Sequence, residues 1–189
     1  MTQGFLFVFR RYCPGDDRWH PYALLRHFVT RYGTGSEMIH VEMIPVWTGD
    51  NERLTLGPDA YTSFVGQPFV RRDTGASVGQ PSPQLVFAPC ADPMKVSDGV
   101  RYLQRLIGTP YVSFAWLAWV GCAHLVSATP PPVADPPHAT FCSQVGALLL
   151  RHVGLPTPAP AFCTPGDLYD HLLAHVPGAR VVDRGCCVF

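Results

Sequence analysis

Cys142 is the residue of this sequence whose position best suits nucleophilic chemistry. It lies at the predicted start of a helix, directly after a proline-rich connector. A cysteine attacks as its thiolate, and the free backbone N–H groups of a first helical turn stabilise that negative charge. The same N–H groups could stabilise the oxyanion of an attacked carbonyl. Cys142 is therefore a candidate nucleophile; the alternative is a buried structural cysteine.

His40 is the matching candidate base. It lies in the run MIHVEMIP, whose composition predicts a β-strand. Side chains at positions i and i+2 of a strand project from the same face, so His40 and Glu42 should lie together. A carboxylate in that place can orient an imidazole, which is the role of the third member of a catalytic triad. The alternative is a plain His40–Glu42 pair on an exposed strand.

The first half of the chain is predicted to form a meandering antiparallel sheet. Apolar and β-branched runs predict strands at 4–10 and 39–46, with a helix at 20–32 between them. Short strand candidates follow in ERLTL, SFVGQPFVRR and QLVFA, separated by turn residues.

The second half changes to helical patterns. Helices are predicted at 94–107 and 112–127, from Thr140 or Phe141 to Val153, and from Thr164 to near Pro177. The segment 129–137 is too rich in proline for either element and should be an extended connector. Strands first and helices later indicate an α+β domain at 1–178, followed by a flexible tail at 179–189.

Composition narrows the class of protein. The 189 residues suit one domain, and 47% apolar against 15% charged residues excludes a largely disordered chain. Lys plus Arg equals Asp plus Glu, and no basic stripe supports a nucleic-acid partner. The seven cysteines form no C-x-x-C pair, and the first residues lack the pattern of a signal peptide. We therefore expect a cytoplasmic protein with free thiols.

The longest apolar run, 112–128, predicts a buried helix; a membrane-spanning helix is the lesser alternative.

The remaining histidines give no complete metal site. His171 and His175 have the i, i+4 spacing that can hold a metal on a helix, but no third ligand accompanies them in the sequence. His138 and Cys142 supply at most half of a zinc site. Neither a metal nor another cofactor is therefore predicted.

An ordered series of motifs runs through residues 5–176. It consists of His40-Val41-Glu42, the strand region SFVGQPFVR, a helix ending in Gly108-Thr109-Pro110-Tyr111, the helix start Phe141-Cys142-Ser143-Gln144-Val145, and TPGDL at 164–168. With these motifs the chain resembles the circularly permuted branch of the NlpC-type papain-like superfamily, the YiiX/YaeF-like branch that includes relatives in poxviruses and other large DNA viruses. In that branch the histidine strand precedes the cysteine helix, as it does here. Gln144 departs from the family's common glutamate.

The resemblance implies a thiol hydrolase of the cysteine peptidase or amidase kind, or an acyltransferase. Cys142 would be the nucleophile, His40 the base and Glu42 the third polar residue, in a small antiparallel sheet packed against a helical half. The substrate would be a peptide, another amide or a lipid acyl group. The alternative is a catalytically inactive, lipid-anchored interaction module of the same fold.

The last four residues fit a prenylation motif. Cys186-Cys187-Val188-Phe189 reads as C-a-a-X with a final Phe, a type usually geranylgeranylated. Lipidation of Cys186 would bring the protein to the cytoplasmic face of a membrane, although one lipid chain alone binds only marginally. The alternative is a coincidental cysteine in a loose tail.

Overall fold

The fold is described from a computed structural model that places residues 3–11, 37–49, 53–63, 67–78, 83–113, 116, 129 and 132–188. The predicted helix at 20–32 and most of the predicted helix at 112–127 lie outside these residues. All statements on elements and contacts below concern the part of the chain that is described.

One sheet of eight strands organises the described residues. Its strands are β1 (Gln3–Arg11), β2 (Met38–Thr48), β3 (Leu54–Leu56), β4 (Asp59–Thr62), β5 (Val70–Asp73), β6 (Gln84–Cys90), β7 (Arg180–Val182) and β8 (Cys187–Val188). Their order across the sheet is β5-β4-β2-β1-β6-β7, with β3 pairing β2 and β8. The neighbours pair antiparallel, except β3 and β8, which run parallel.

Four helices accompany the sheet in the described residues. They are α1 (Thr74–Val78), α2 (Pro93–Leu106), α3 (Cys142–His152) and α4 (Pro165–His175). A short 3-10 turn covers Arg184–Cys186. The three longer helices contribute to a core with one face of β1, which presents Phe5, Phe7 and Phe9. The alternate residues Leu6 and Val8 belong to a second apolar cluster, as the two-residue period of a strand requires.

Local sequence explains where the longer helices begin. Asp92 caps α2 by accepting the Met94 N–H at 2.9 Å. Thr164 and Asp167 form a reciprocal capping box at the start of α4, with Pro165 in the first turn. In contrast, α3 begins at Cys142 without a side-chain cap. The N–H groups of its first turn are therefore not all taken by its own cap residue.

The structure confirms the α+β class and the strands predicted at 4–10 and 39–46. The helices predicted at 94–107, at 140–153 and after Thr164 are also confirmed, within one or two residues. The strand predicted across SFVGQPFVRR is wrong in extent, because the described strand begins only at Val70. The short strand β4 and the helix α1 were not predicted.

Residues 180–188 differ from the flexible tail that the sequence predicts. Strand β7 pairs with β6, through Leu85↔Val182 and Phe87↔Arg180. Strand β8 pairs with β3, through Leu54↔Cys187. The guanidinium of Arg180 also lies 5.2 Å from the ring centre of Phe87. The terminal segment therefore adds strands to the sheet, which its charged and glycine-containing sequence did not suggest.

Candidate active site

Cys142 is the first residue of α3, and its side chain is buried, with 3% exposed. Ser143 donates its hydroxyl proton to the carbonyl oxygen of Cys163 at 2.7 Å, which fixes the first turn of the helix against the loop that precedes α4. Val145 continues the helix by donating to the carbonyl of Phe141. The bond from Ser143 to Cys163 therefore anchors the helix start that holds the thiol.

His40 lies near the beginning of β2 and is also buried, with 6% exposed. On one side of β2 it is opposite Arg10 of β1, and its neighbour Val41 is opposite Phe9. No described strand pairs with His40 or Val41 on the other side, since β4 meets β2 only at Met43. Cys142 approaches β2 at these two residues: its thiol is hydrogen-bonded to the His40 side chain and receives the backbone N–H of Val41.

The surroundings of this pair favour the charged form of each side chain, the thiolate of Cys142 and the imidazolium of His40. Burial raises the pKa of the Cys142 thiol, but the charge and hydrogen bond of His40 and the N–H groups of Val41 and Ser143 lower it, and the result is a pKa below the ordinary value. Burial lowers the pKa of His40, but Cys142 and then Glu42 raise it above its ordinary value of 6.5. The opposite shifts mean that each charged form stabilises the other, as in a thiolate–imidazolium pair.

Glu42 shares the face of β2 with His40 and is completely buried. Its Oε1 lies 3.6 Å from Nε2 of His40 and forms an ion pair with Arg10. Arg72 contributes a second guanidinium at 3.9 Å. Burial raises the pKa of Glu42, but His40 and Arg10 lower it below its ordinary value of 4.5. The carboxylate is thus ionised between two arginines and one histidine.

Thr62, at the end of β4, makes a hydrogen bond to Nε2 of His40. Its Oγ1 lies 2.9 Å from Nε2 of His40 and donates to the carbonyl oxygen of Val41 at 3.1 Å. The Thr62 side chain is fully buried. This contact is shorter than the 3.6 Å between Glu42 and the same nitrogen. Thr62 is therefore the direct partner of Nε2.

Cys163 is a second buried thiol near the site. Its Sγ lies 3.6 Å from the carbonyl oxygen of Thr164. Burial, Asp167 and Cys142 all raise its pKa well above the ordinary value of 9.0. Cys163 is therefore a protonated thiol, and its pKa is shifted in the direction opposite to that of Cys142.

The structure brings the three predicted site residues Cys142, His40 and Glu42 together. Thr62, Arg10 and Arg72 were not predicted, although they contact His40 or Glu42. The strand pattern contained a signal for Arg10 alone, because a charged residue follows the apolar run of β1. Contacts of Thr62 and Arg72 depend on the pairing of β4 with β2 and β5, which no local pattern specifies.

Two histidines and two C-terminal cysteines were also considered from the sequence. The rings of His171 and His175 stand 4.8 Å apart on α4. In the described residues, no group of three or more potential metal ligands occurs. Cys186, the predicted lipidation site, is exposed, and Cys187 is half-buried. Among the described helices none has the length and apolar character needed to cross a bilayer.

The fold and the site define the class of this protein as an α+β domain with a buried, hydrogen-bonded cysteine–histidine pair. Neither the protein-family models nor the curated proteins give a match to the chain. The geometry of the pair and its neighbours is therefore what points to a function.

Proposed function

We propose that this protein is a cysteine-dependent hydrolase or acyltransferase with Cys142 as nucleophile, His40 as base and Glu42 as the third polar residue. The observation that carries the proposal is the hydrogen bond between Cys142 and His40 at the first turn of α3, together with the lowered pKa of the thiol. An ordinary buried thiol has the opposite property, as Cys90 shows, whose pKa burial raises to about 11. Cys142 is therefore prepared for attack rather than only for packing.

The proposed reaction forms and breaks one acyl–sulfur bond. The thiolate of Cys142 attacks the carbonyl carbon of an amide, ester or thioester, and the backbone N–H groups at the start of α3 face the developing oxyanion. The imidazolium of His40 gives its proton to the leaving amine, alcohol or thiol. His40 then takes a proton from water, or from an acceptor amine or alcohol, which releases the acyl group and restores the thiolate.

Glu42 keeps the site electrostatically balanced in this proposal. An imidazolium buried beside a thiolate gains from a carboxylate on its far side, and Glu42 Oε1 lies 3.6 Å from Nε2. Arg10 and Arg72 hold that carboxylate ionised. Amide hydrolysis of a peptidase or amidase kind is the leading reaction, and transfer of a lipid acyl group is the next.

The permuted papain-like fold is part of the proposal. Three features support it: the histidine strand β2 precedes the cysteine helix α3, this helix packs on the sheet, and α4 follows with the TPGDL start. Prenylation of Cys186, and with it a place on the cytoplasmic face of cell or host membranes, is a further proposal supported by the exposed thiol.

An inactive, lipid-anchored interaction module of the same fold is the second candidate. The observation that favours it is burial: only 3% of Cys142 and 6% of His40 are exposed. A substrate carbonyl could reach the thiol only after neighbouring residues move. The module predicts that Cys142 does not react and that replacing it changes no binding partner.

Alkylation of Cys142 distinguishes the two candidates. Folded wild-type protein and the variant His40→Ala receive short iodoacetamide pulses across a pH series, and mass spectrometry quantifies each cysteine peptide. We expect wild-type Cys142 to alkylate well below the ~8.5 pKa of an ordinary thiol, and the variant to lose this reactivity. Cys90 is the internal control, because burial and then the charge of Asp92 raise the pKa of its thiol. A Cys142 that stays inert, or that ignores the His40 substitution, excludes the catalytic proposal.

If the pair is reactive, acyl probes identify the substrate class. Ester, thioester and amide probes with peptide or fatty acyl groups are incubated with wild type and with Cys142→Ala. A mass increment of one acyl group on the Cys142 peptide would support the proposed covalent intermediate and show which acyl group the site accepts.

A further inference from the structure

The hydroxyl of Thr62 contacts both the ring of His40 and the backbone of the strand that carries it. A threonine hydroxyl has one hydrogen to donate, and a backbone carbonyl can only accept. Thr62 Oγ1 donates to the carbonyl oxygen of Val41 at 3.1 Å, so that its one hydrogen is used there. Its 2.9 Å contact with Nε2 of His40 must then be one in which Thr62 accepts. The hydrogen between these two atoms therefore belongs to Nε2.

The tautomer of the neutral His40 ring is fixed as a consequence. When Nε2 carries the hydrogen, Nδ1 has the free lone pair. In the proposed arrangement Cys142, which is hydrogen-bonded to the His40 side chain, meets the ring at Nδ1, while Thr62 contacts Nε2. A lone pair directed at the thiol is what a base needs to accept its proton.

We propose that Thr62 is the positioning residue of the site, which holds His40 in its Nε2–H form by donating to Val41 and accepting from the ring. This inference rests on the proposed cysteine–histidine chemistry and adds a residue to it. Thr62 acts through His40 and touches no reacting atom.

Glu42 is less suited to this positioning. Its Oε1 lies 3.6 Å from Nε2, beyond the range of a normal hydrogen bond. The same oxygen is engaged by Arg10 and lies 3.9 Å from Arg72. Glu42 therefore provides negative charge near the ring, whereas Thr62 provides the directional contact.

Charged or titratable groups reach the pair from several described elements. Glu42 comes from β2, Arg10 from β1 and Arg72 from β5, and the buried thiol of Cys163 interacts with Cys142 from the loop before α4. Thr62 itself does not titrate, so its replacement by valine changes no charge. A shift in the pH profile of Cys142 would then report the lost hydrogen bond to the ring.

The test compares Thr62→Val with Thr62→Ser in the full chain. Iodoacetamide pulses at about two pH units below the ~8.5 pKa of a free thiol measure the thiolate fraction of Cys142. We expect Thr62→Val to lower the Cys142 alkylation rate at that pH by roughly tenfold, the size of one lost hydrogen bond to a charged group. Thr62→Ser, which keeps the hydroxyl, should restore the wild-type profile. Thr55→Val, on an exposed position of β3, is the matched control and should change nothing.

The outcomes separate this inference from the proposed function. If wild type reacts at low pH and Thr62→Val has the same profile, Thr62 has no positioning role while the cysteine–histidine proposal stands. If the wild type itself is inert at low pH, the proposed function fails, and the protonation of the ring must be judged by a second measurement.

That second measurement does not require Thr62→Val to fold. Nitrogen-15 NMR of the Cys142→Ala protein, labelled at histidine, reports which ring nitrogen of neutral His40 carries hydrogen. A spectrum with Nε2 protonated and Nδ1 bare supports the assignment. A dominant Nδ1–H form would overturn it whatever the reactivity of Cys142.

Discussion

The thiol of Cys142, in the first turn of α3, and the imidazole of His40, on β2, are hydrogen-bonded to each other. Each group has its pKa moved toward the charged form by the other, against the effect of burial. Replacing either residue should therefore change the pKa of the other, which can be measured.

The variant Cys142→Ala should lower the pKa of His40. Burial alone lowers the pKa of this histidine, and Cys142 is the first of the groups that raise it above 6.5. Once the Cys142 thiol is absent, the largest of the contributions that raise the pKa of His40 against burial is lost. Proton NMR titration of the His40 ring in wild type and variant measures the change.

The control for this titration is Cys90→Ala, which removes a buried thiol from β6 and should leave the His40 midpoint unchanged. An unchanged or raised midpoint in Cys142→Ala would contradict the coupling between the two side chains. Because histidine titrates near neutral pH, both limbs of the curve are accessible.

In the variant Glu42→Gln the free energy of unfolding should fall less between neutral and acid pH than it does in wild type. The folded pKa of Glu42 lies below 4.5, so its carboxylate stabilises the folded state above that pH, and this contribution is lost as pH falls through the folded pKa. The variant also leaves Arg10 without its buried partner, which costs about 3 kcal/mol at neutral pH. Urea denaturation at about pH 7 and at about pH 3 measures both effects.

Glu37→Gln is the matched control, because Glu37 is exposed just before β2. It should retain the wild-type stability at neutral pH. The prediction for Glu42→Gln is wrong if the variant loses as much free energy of unfolding between neutral and acid pH as wild type does.

Much of the fold could be predicted because short stretches of sequence specify its main helices and strands. The apolar run of β1 and the Thr164–Asp167 capping signal depend on neighbours in sequence and were read correctly. β4 and β8 have four and two residues, respectively, too short for a periodic signal. They form because β2 and β3 offer them backbone partners, a property of tertiary pairing.

In the site, too, the features that local sequence specifies could be predicted, and those that depend on tertiary pairing could not. The i, i+2 spacing of His40 and Glu42 put them on one strand face, and the position of Cys142 after the connector indicated a helix start. The contact of Cys142 with His40 depends on how α3 packs on the sheet. The family resemblance, and not the spacing in sequence, predicted this contact. Thr62 could not be found, because a single threonine near a turn is common and its role requires the register of β4 on β2.

Gly99→Ala should destabilise the protein although alanine favours helices. A Cβ on Gly99 would lie 2.6 Å from Cζ of Phe5 and 2.9 Å from Cγ1 of Val153, closer than atoms pack. The resulting strain, about 1–3 kcal/mol, outweighs the ~1 kcal/mol gain in helix propensity. Urea denaturation measures the loss. Ser97→Ala, at an exposed position of the same helix, is the control and should be neutral or slightly stabilising; equal stability of both variants would refute the close approach of α2 to β1.

Prenylation of Cys186 predicts a lipid mass increment on the C-terminal peptide after expression in animal cells. The Cys186 thiol is exposed, but Cys187 and Val188 pair with β3 and must leave it to enter a prenyltransferase. A pairing of two residues is short enough to open readily, since even longer isolated strand pairs are marginal in water. Cys186→Ser should abolish the increment, and Thr55→Val should not. Because one lipid chain binds membranes only marginally, the modified protein should divide between membrane and soluble fractions. An unmodified wild-type peptide would exclude lipidation at Cys186.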